Sequence, residues 1–426
     1  YIRYPIVMDV TRSRKKEGSD EQEKYTEAVT LNSMVPLWKK QKSQIKEEEY
    51  NSFYEAKFHD YEAPLKVIHA NMEGAVNYTA LLFIPAHAGS EYYTKDYKKG
   101  LQLYCNGVLI TDCCEDLVPD CYAFVKGVVD SSDLSLNISR EVLQQDRQLK
   151  AIAGGIEKKI TAELGKMLEN ERENYDKMFE AFGLTLKFGA YNNFGFKKDE
   201  LKDLLLFRSS TRDKLITLKE YVAAMKEGQT DIYYACGSDY KTIAEMPQTE
   251  LLRAKGYEML YFKDSVDEFV VKVLGEYDGK KFRNIQDGDL ELNSEEEKAA
   301  VSEKKEQYKE LSDYIKEKLG DKVSAVRFTD KLVTSAVCLS ADGDISLEME
   351  KTFKAMRASS PMPVEAKKVL EININHPIAE KLKTYYDSDK ETLDKYIKVL
   401  YGEARMLAGF DIEDATEFTS VVNSLI

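Results

Sequence analysis

Along this chain, apolar positions recur with a period of two in some stretches and near four in others, so strands and helices interleave. Residues 1–10 and 25–31 read as strands around the charged stretch TRSRKKEGSDEQEK, a solvated loop. SMVPLWKKQKSQIKEEEYNSFYEAKFHDY is a helical region holding the sole tryptophan, Trp38, and NYTALLFIPA and LQLYCNGVLI are strands. Asn106-Gly107, set between apolar runs, is a hairpin-turn signal. In DLSLNISREVLQ, Leu134, Leu136 and Ile138 alternate with Ser135 and Asn137 as a short strand. Ser139 then reads as an N-cap, which puts Arg140 in the first turn of a helix with Val142, Leu143 and Leu149 available for its buried stripe.

Ile156, Ile160, Leu164 and Met167, followed by Tyr175, Met178, Phe179 and Phe182, mark a long helical segment with one apolar face, with a break expected near Gly154-Gly155. Beyond it, helices KKDELKDLLLF, LKEYVAAMK, QTELLRAKG and SVDEFVVKVL alternate with strands DIYYACG and EMLYF, a pattern that predicts a mainly parallel sheet covered by helices. Residues 278–300 are polar and lack periodicity, and the main domain boundary is placed there. KEQYKELSDYIKEKLG is helical, VSAVRFTD and SAVCLSA are strands, and ISLEMEKTFKAMRAS is helical again. Two helices end the chain, the first carrying Leu393, Ile397, Leu400, Tyr401, Ala404 and Leu407, the second Phe418, Val421, Val422, Leu425 and Ile426. The apolar face of the last can be buried inside its own domain or against the same helices of a second chain, and periodicity admits both.

Composition narrows the classes. With 61 Lys and Arg against 75 Asp and Glu, the net charge of −14 argues against nucleic acid as a partner. No apolar run approaches the ~20 residues of a membrane span, so a soluble chain is expected, with no membrane partner. The six cysteines include no C-x-x-C pair and the four histidines are scattered, so no metal site is expected, and free thiols fit a reducing cytoplasm. The start YIRYPIVMDV has neither an initiator Met nor a signal peptide and reads as the start of a fragment. Phosphate-loop, dinucleotide, zinc-protease and hydrolase-elbow motifs are all missing from the sequence, which disfavours a self-contained hydrolase.

Arg140 poses a local problem. Free N–H groups make a helix start electropositive, which disfavours a cation by a few tenths of a kcal/mol and suits an anion. A solvated arginine balanced by Glu141 and Asp146 is one solution, and an arriving anion is the other.

DCCEDLVPDCYAFVKGVVDSSDLSLNISREVLQ resembles the signature of the ninety-kilodalton heat-shock chaperone family in its bacterial form. NSMVPLWKKQKSQIKEEEYNSFY, YTALLFIP, LKEYVAAMKEGQTDIYY, LLRAKGYEMLYFKDSVDEF, VRFTDKLVTSAVCLS and LEININHPIAEKL are similar to further family segments in the same order, so the resemblance covers essentially the whole chain. The family consists of an N-terminal ATP-binding domain, a middle domain and a C-terminal dimerisation domain, and this chain resembles the last two. The resemblance therefore implies a multidomain α/β and α+β fold. Its middle domain comprises a large α/β unit at 1–155, a helical connector at 156–195 and a small α/β unit at 196–285; a linker at 286–300 leads to an α+β dimerisation domain at 301–426 that ends in a helical bundle.

The same resemblance implies that ATP and Mg2+ bind through the missing N-terminal domain and not to this chain alone, and that Arg140 reaches the γ-phosphate, accompanied by Gln144 one turn later. It implies client binding by partly folded proteins at Glu268 and Phe269, where the phenylalanine stands for a family tryptophan and weakens the patch, and at Ile345, Met349, Phe353 and Met356. By spacing alone these residues read as core. Dimerisation is implied through residues 389–426, including Leu393, Ile397, Leu400, Leu407, Phe418, Val421, Val422 and Leu425. Expected partners are a second copy, unfolded or partly folded clients and other chaperones, though not those that read an acidic pentapeptide tail. The resemblance also replaces the Asn106-Gly107 turn with continuous strand. A constitutive dimeric scaffold, in which Arg140 is structural and no nucleotide acts, is the alternative from a different class.

Overall fold

β1 (Val7–Lys15) and β2 (Gln22–Thr30) pair antiparallel in register from Val7–Thr30 to Lys15–Gln22, so both strands run into the stretch expected to be loop. Charged residues are tolerated because little of this ribbon is covered: Val7 and Met8 are exposed. The computed structural model describes residues 4–15, 22–32, 34–134, 147–288, 304–355 and 364–426. It forms two compact units, residues 1–189 and 190–426.

In the first unit, β3 (Lys66–Met72), β4 (Tyr78–Ile84), β5 (Leu101–Cys105), β6 (Val108–Cys114) and β7 (Lys126–Ser131) form a sheet in the order β3-β4-β7-β5-β6, with only β5 and β7 parallel. Nearly every residue of β4 is buried because both of its faces are covered. Leu81 and Phe83 pack with Trp38 and with Tyr50 and Tyr54 of α1 (Glu47–Phe58). Asn106 (φ 51°) and Gly107 (φ 81°) link β5 to β6 as a two-residue hairpin. Both positive φ angles suit a turn that follows the strand twist, so the local reading holds and the continuous strand implied by the resemblance is corrected.

α2 (Arg147–Asn170) and α3 (Arg172–Gly195) carry the long apolar face. The expected break at Gly154-Gly155 does not occur; the interruption falls at Glu171, which still hydrogen-bonds to Met167 and Tyr175. Gly155 instead makes room, since a Cβ there would stand 2.4 Å from the Tyr78 hydroxyl.

Among the described residues, the second unit holds two sheets. β8 (Leu206–Ser209), β9 (Leu215–Thr217), β10 (Ile232–Cys236), β11 (Leu260–Phe262), β12 (Glu276–Tyr277) and β13 (Lys280–Asn284) run in the order β12-β13-β10-β11-β8-β9. Only the β10–β11 and β10–β13 pairs are parallel, so the expected mainly parallel sheet is corrected to a mixed one. Short tight connections such as Asp278-Gly279 between β12 and β13 allow antiparallel neighbours where no helical crossover intervenes. LLLF, expected to end a helix, turns into β8 after α4 (Lys198–Leu201). Short helices α5 (Leu218–Ala223), α6 (Tyr240–Ala244) and α7 (Glu250–Lys255) precede α8 (Ser265–Leu274).

β14 (Ala325–Thr329), β15 (Val337–Asp342) and β16 (Lys367–Asn373) form a three-stranded sheet in the order β14-β16-β15. Its core is shared with α9 (Lys309–Leu319), α11 (Pro377–Ser388) and α12 (Lys390–Leu407), and α10 (Leu347–Ala355) and α13 (Ala415–Asn423) complete the unit. β3, β16 and α11 were not anticipated by the pattern.

Candidate functional site

α8 buries Val266, Glu268, Val270, Val271 and Leu274, which leaves Phe269 half-buried. α10 starts where the Ser346 hydroxyl accepts a hydrogen bond from the Met349 amide at 3.1 Å, an N-cap that satisfies one orphan donor of the first turn. Met349 and Glu350 are then buried, and Phe353 is half-buried. The Phe269 and Phe353 rings meet edge to face with centroids 5.9 Å apart, and Tyr191, exposed at the end of α3, lies 5.6 Å from Phe269. Three partly exposed rings thus form one aromatic seam, a geometry that contributes about 0.5–1.5 kcal/mol per pair beyond area burial.

Beside the seam, Cys236, Phe262, Glu268, Phe269, Met349 and Thr352 line a cavity of about 100 Å3. Glu268 is only 3% exposed. Its Oε2 accepts from Ser346 Oγ at 2.6 Å and its Oε1 from Asn284 Nδ2 at 3.2 Å, with Lys272 Nζ 3.8 Å from Oε1. Burial pushes its pKa above the ordinary carboxylate value, and these polar neighbours offset that only in part. Lys272 donates to the Asp344 carbonyl at 2.6 Å. Also on α10, Glu350 is buried and bonded to Lys354, Lys368 and the Ala366 amide; burial would raise its pKa, but those partners lower it.

Four of the client-binding candidates, Glu268, Phe269, Met349 and Phe353, therefore come together, although they are separated by about eighty positions along the chain. Ile345 packs against the core behind the start of α10, and Met356 lies outside the described residues. Tyr191, Lys272, Ser346 and Asn284 escaped the sequence reading. A serine ahead of the periodic LEME stretch is an N-cap signal that could have marked Ser346; the others are joined only by tertiary contacts.

The terminal helices divide. Leu393, Ile397 and Leu400 on α12 are buried in the core of their own unit, whereas Leu407 is exposed and Phe418, Val421, Val422 and Leu425 stay half-buried. Among described residues 411–426 none is buried. Arg140 and Gln144 lie outside the described residues, as does all but Leu134 of the strand expected at 134–138. The strand leading toward them is firmly held. Asp130 Oδ2 accepts from Trp38 Nε1 at 3.0 Å and Lys39 Nζ at 2.9 Å, its Oδ1 accepts from the Gly107 amide at 3.2 Å, and Asp133 accepts from the Asn77 amide at 2.8 Å.

The model of the Hsp90 protein family matches residues 6–426. This chain belongs to the Hsp90 family. Over 421 residues it is 50% identical to the chaperone protein HtpG of Halalkalibacterium halodurans, a match covering 99% of this chain and 67% of that relative. It is 51% identical to the protein of the same name from Oceanobacillus iheyensis and 48% to that from Bacillus subtilis, with the same coverage. This Hsp90-family chain spans about two thirds of those relatives' length. Among its described residues no helix is long and apolar enough to cross a membrane.

Proposed function

We propose that this chain is the middle and C-terminal portion of a molecular chaperone. It binds partly folded client proteins on the Tyr191–Phe269–Phe353 seam, dimerises through α12 and α13, and supplies Arg140 to an ATPase site on a preceding domain that holds ATP and Mg2+. The observation that carries the client reading is the seam itself: three aromatic rings on separate elements, each still partly open to water. Such rings offer large apolar area at low entropic cost to segments that expose their own. Met349, buried and lining the cavity beside them, can change rotamer as occupants vary. Phe269 in place of a family tryptophan lowers the area on offer.

For dimerisation the support is the uncovered apolar residues of α13 together with exposed Met406 and Leu407. For Arg140 it is the family resemblance of the surrounding motif and the guanidinium's ability to direct two hydrogen bonds at phosphoryl oxygens. The proposed division into units at 1–155 and 196–285, a connector at 156–195, a linker at 286–300 and a dimerisation domain at 301–426 follows the family's order.

The client reading is tested by the affinity of the chain for a fluorescently labelled, destabilised protein. Phe269→Ala and Phe353→Ala should each weaken binding by roughly five- to thirtyfold, as truncation of an aromatic anchor does. Affinities equal to wild type in both variants would refute the seam as the client surface.

A further inference from the structure

Glu268 sits in the candidate client surface by sequence, yet a client cannot reach its carboxylate, which is 3% exposed and lies under α10. Its hydrogen bonds join three elements. Oε1 accepts from the side-chain Nδ2 of Asn284 at the end of β13, while Oε2 takes the hydroxyl hydrogen of Ser346, the residue that caps α10. The direction of that second bond matters. A serine hydroxyl has one hydrogen and two lone pairs, so giving the hydrogen to Glu268 turns a lone pair toward the Met349 amide, which donates to it at 3.1 Å. Asn284 is fixed in turn, because its Oδ1 accepts from the Gln286 amide at 3.0 Å.

One helical turn after Glu268, Lys272 reaches the same segment from the same face of α8 and donates to the Asp344 carbonyl at 2.6 Å. Residues 344–346 are therefore gripped twice, once by an acceptor and once by a donor. Phe353 lies two turns beyond Ser346 on the same helix face, so the grip on the start of α10 determines where that ring meets Phe269.

We propose that Glu268 is a positioning residue, which together with Lys272 clamps the start of α10 and so holds Phe353 in the seam without touching the client. The proposal rests on the seam being the client surface, and the readouts separate the two ideas. In a Phe353→Trp background, indole emission, taken as the difference from the same chain carrying only Trp38, reports the seam, and amide exchange across residues 347–355 reports the helix.

Glu268→Ala should speed that exchange roughly five- to thirtyfold, the loss expected when a cap is removed. It should also shift the indole emission to the red and weaken client affinity several-fold. Ser346→Ala should reproduce the exchange and emission changes. Glu268→Gln, which keeps an acceptor for the Ser346 hydroxyl, should restore most of both. Unchanged exchange and emission in Glu268→Ala would overturn the clamp, even if client affinity fell, since the carboxylate would then act by another route. A loosened α10 with full client affinity would uphold the clamp and remove the seam as the client surface.

Discussion

Glu250, on the first turn of α7, shows what one side chain does for the second unit. Its carboxylate accepts from the amides of Val333 at 2.7 Å and Thr334 at 2.8 Å, and from the hydroxyls of Thr334 at 2.8 Å and Ser335 at 2.7 Å. Burial alone would raise its pKa; the bonds from Ser335, Thr334 and Val333 outweigh that and hold it down to about 2. A carboxyl depressed in the folded state contributes stability above its unfolded value, and that contribution is lost as pH falls through the usual carboxylate range toward about 2. Glu250→Gln should cost about 1–3 kcal/mol near neutral pH, after allowance for solvent screening, and the gap from wild type should narrow near pH ~3. Urea unfolding at both pH values checks this, and equal gaps would exclude the linkage. At this scale Phe269 and Phe353 were visible in the sequence as apolar positions, but their choice between core and surface was not. Nor was Glu268, whose neighbours in the chain say nothing of Ser346 or Asn284.

At the scale of elements, α12 carries a glycine where helix propensity alone would disfavour one by about 1 kcal/mol. The reason is α13: a Cβ on Gly402 would stand 2.4 Å from the Phe418 ring. Gly402→Ala should therefore push that ring outward, which faster amide exchange across residues 415–423, with α12 itself unchanged or steadier, would reveal. Unaltered exchange in α13 would mean the ring rotates aside at little cost. The β5–β6 hairpin is the opposite case, an element readable in full from its two turn residues. Gly107→Ala should destabilise the first unit by about 1 kcal/mol, seen as a lowered urea midpoint, because alanine resists a φ of 81°. Periodicity located α2, α3, α8 and α12 because a buried stripe repeats within the element. It missed β3, which buries only Ile68, and β16, whose buried Val369, Leu370, Glu371 and Ile372 run together without alternation.

For the whole molecule, two proposals remain to be measured together. Deleting residues 411–426 should convert a dimer to a monomer at micromolar concentration by light scattering, and an unchanged mass would place the interface elsewhere. In the protein extended through the proposed ATP-binding domain, Arg140→Ala should slow single-turnover hydrolysis on the order of a hundredfold with ATP affinity little changed; unaffected hydrolysis would remove Arg140 from the proposed ATPase mechanism. Order along the chain, the alternation of strands and helices, the hairpin at Asn106-Gly107 and membership of the Hsp90 family were all legible in the sequence, because propensity, periodicity and motif are local properties. Tertiary structure alone decided the mixed direction of the second unit's large sheet, the meeting of Tyr191, Phe269 and Phe353, and the burial of Glu268 beneath α10. Those depend on which surfaces and hydrogen-bonding groups distant segments present to one another, and no local pattern encodes that.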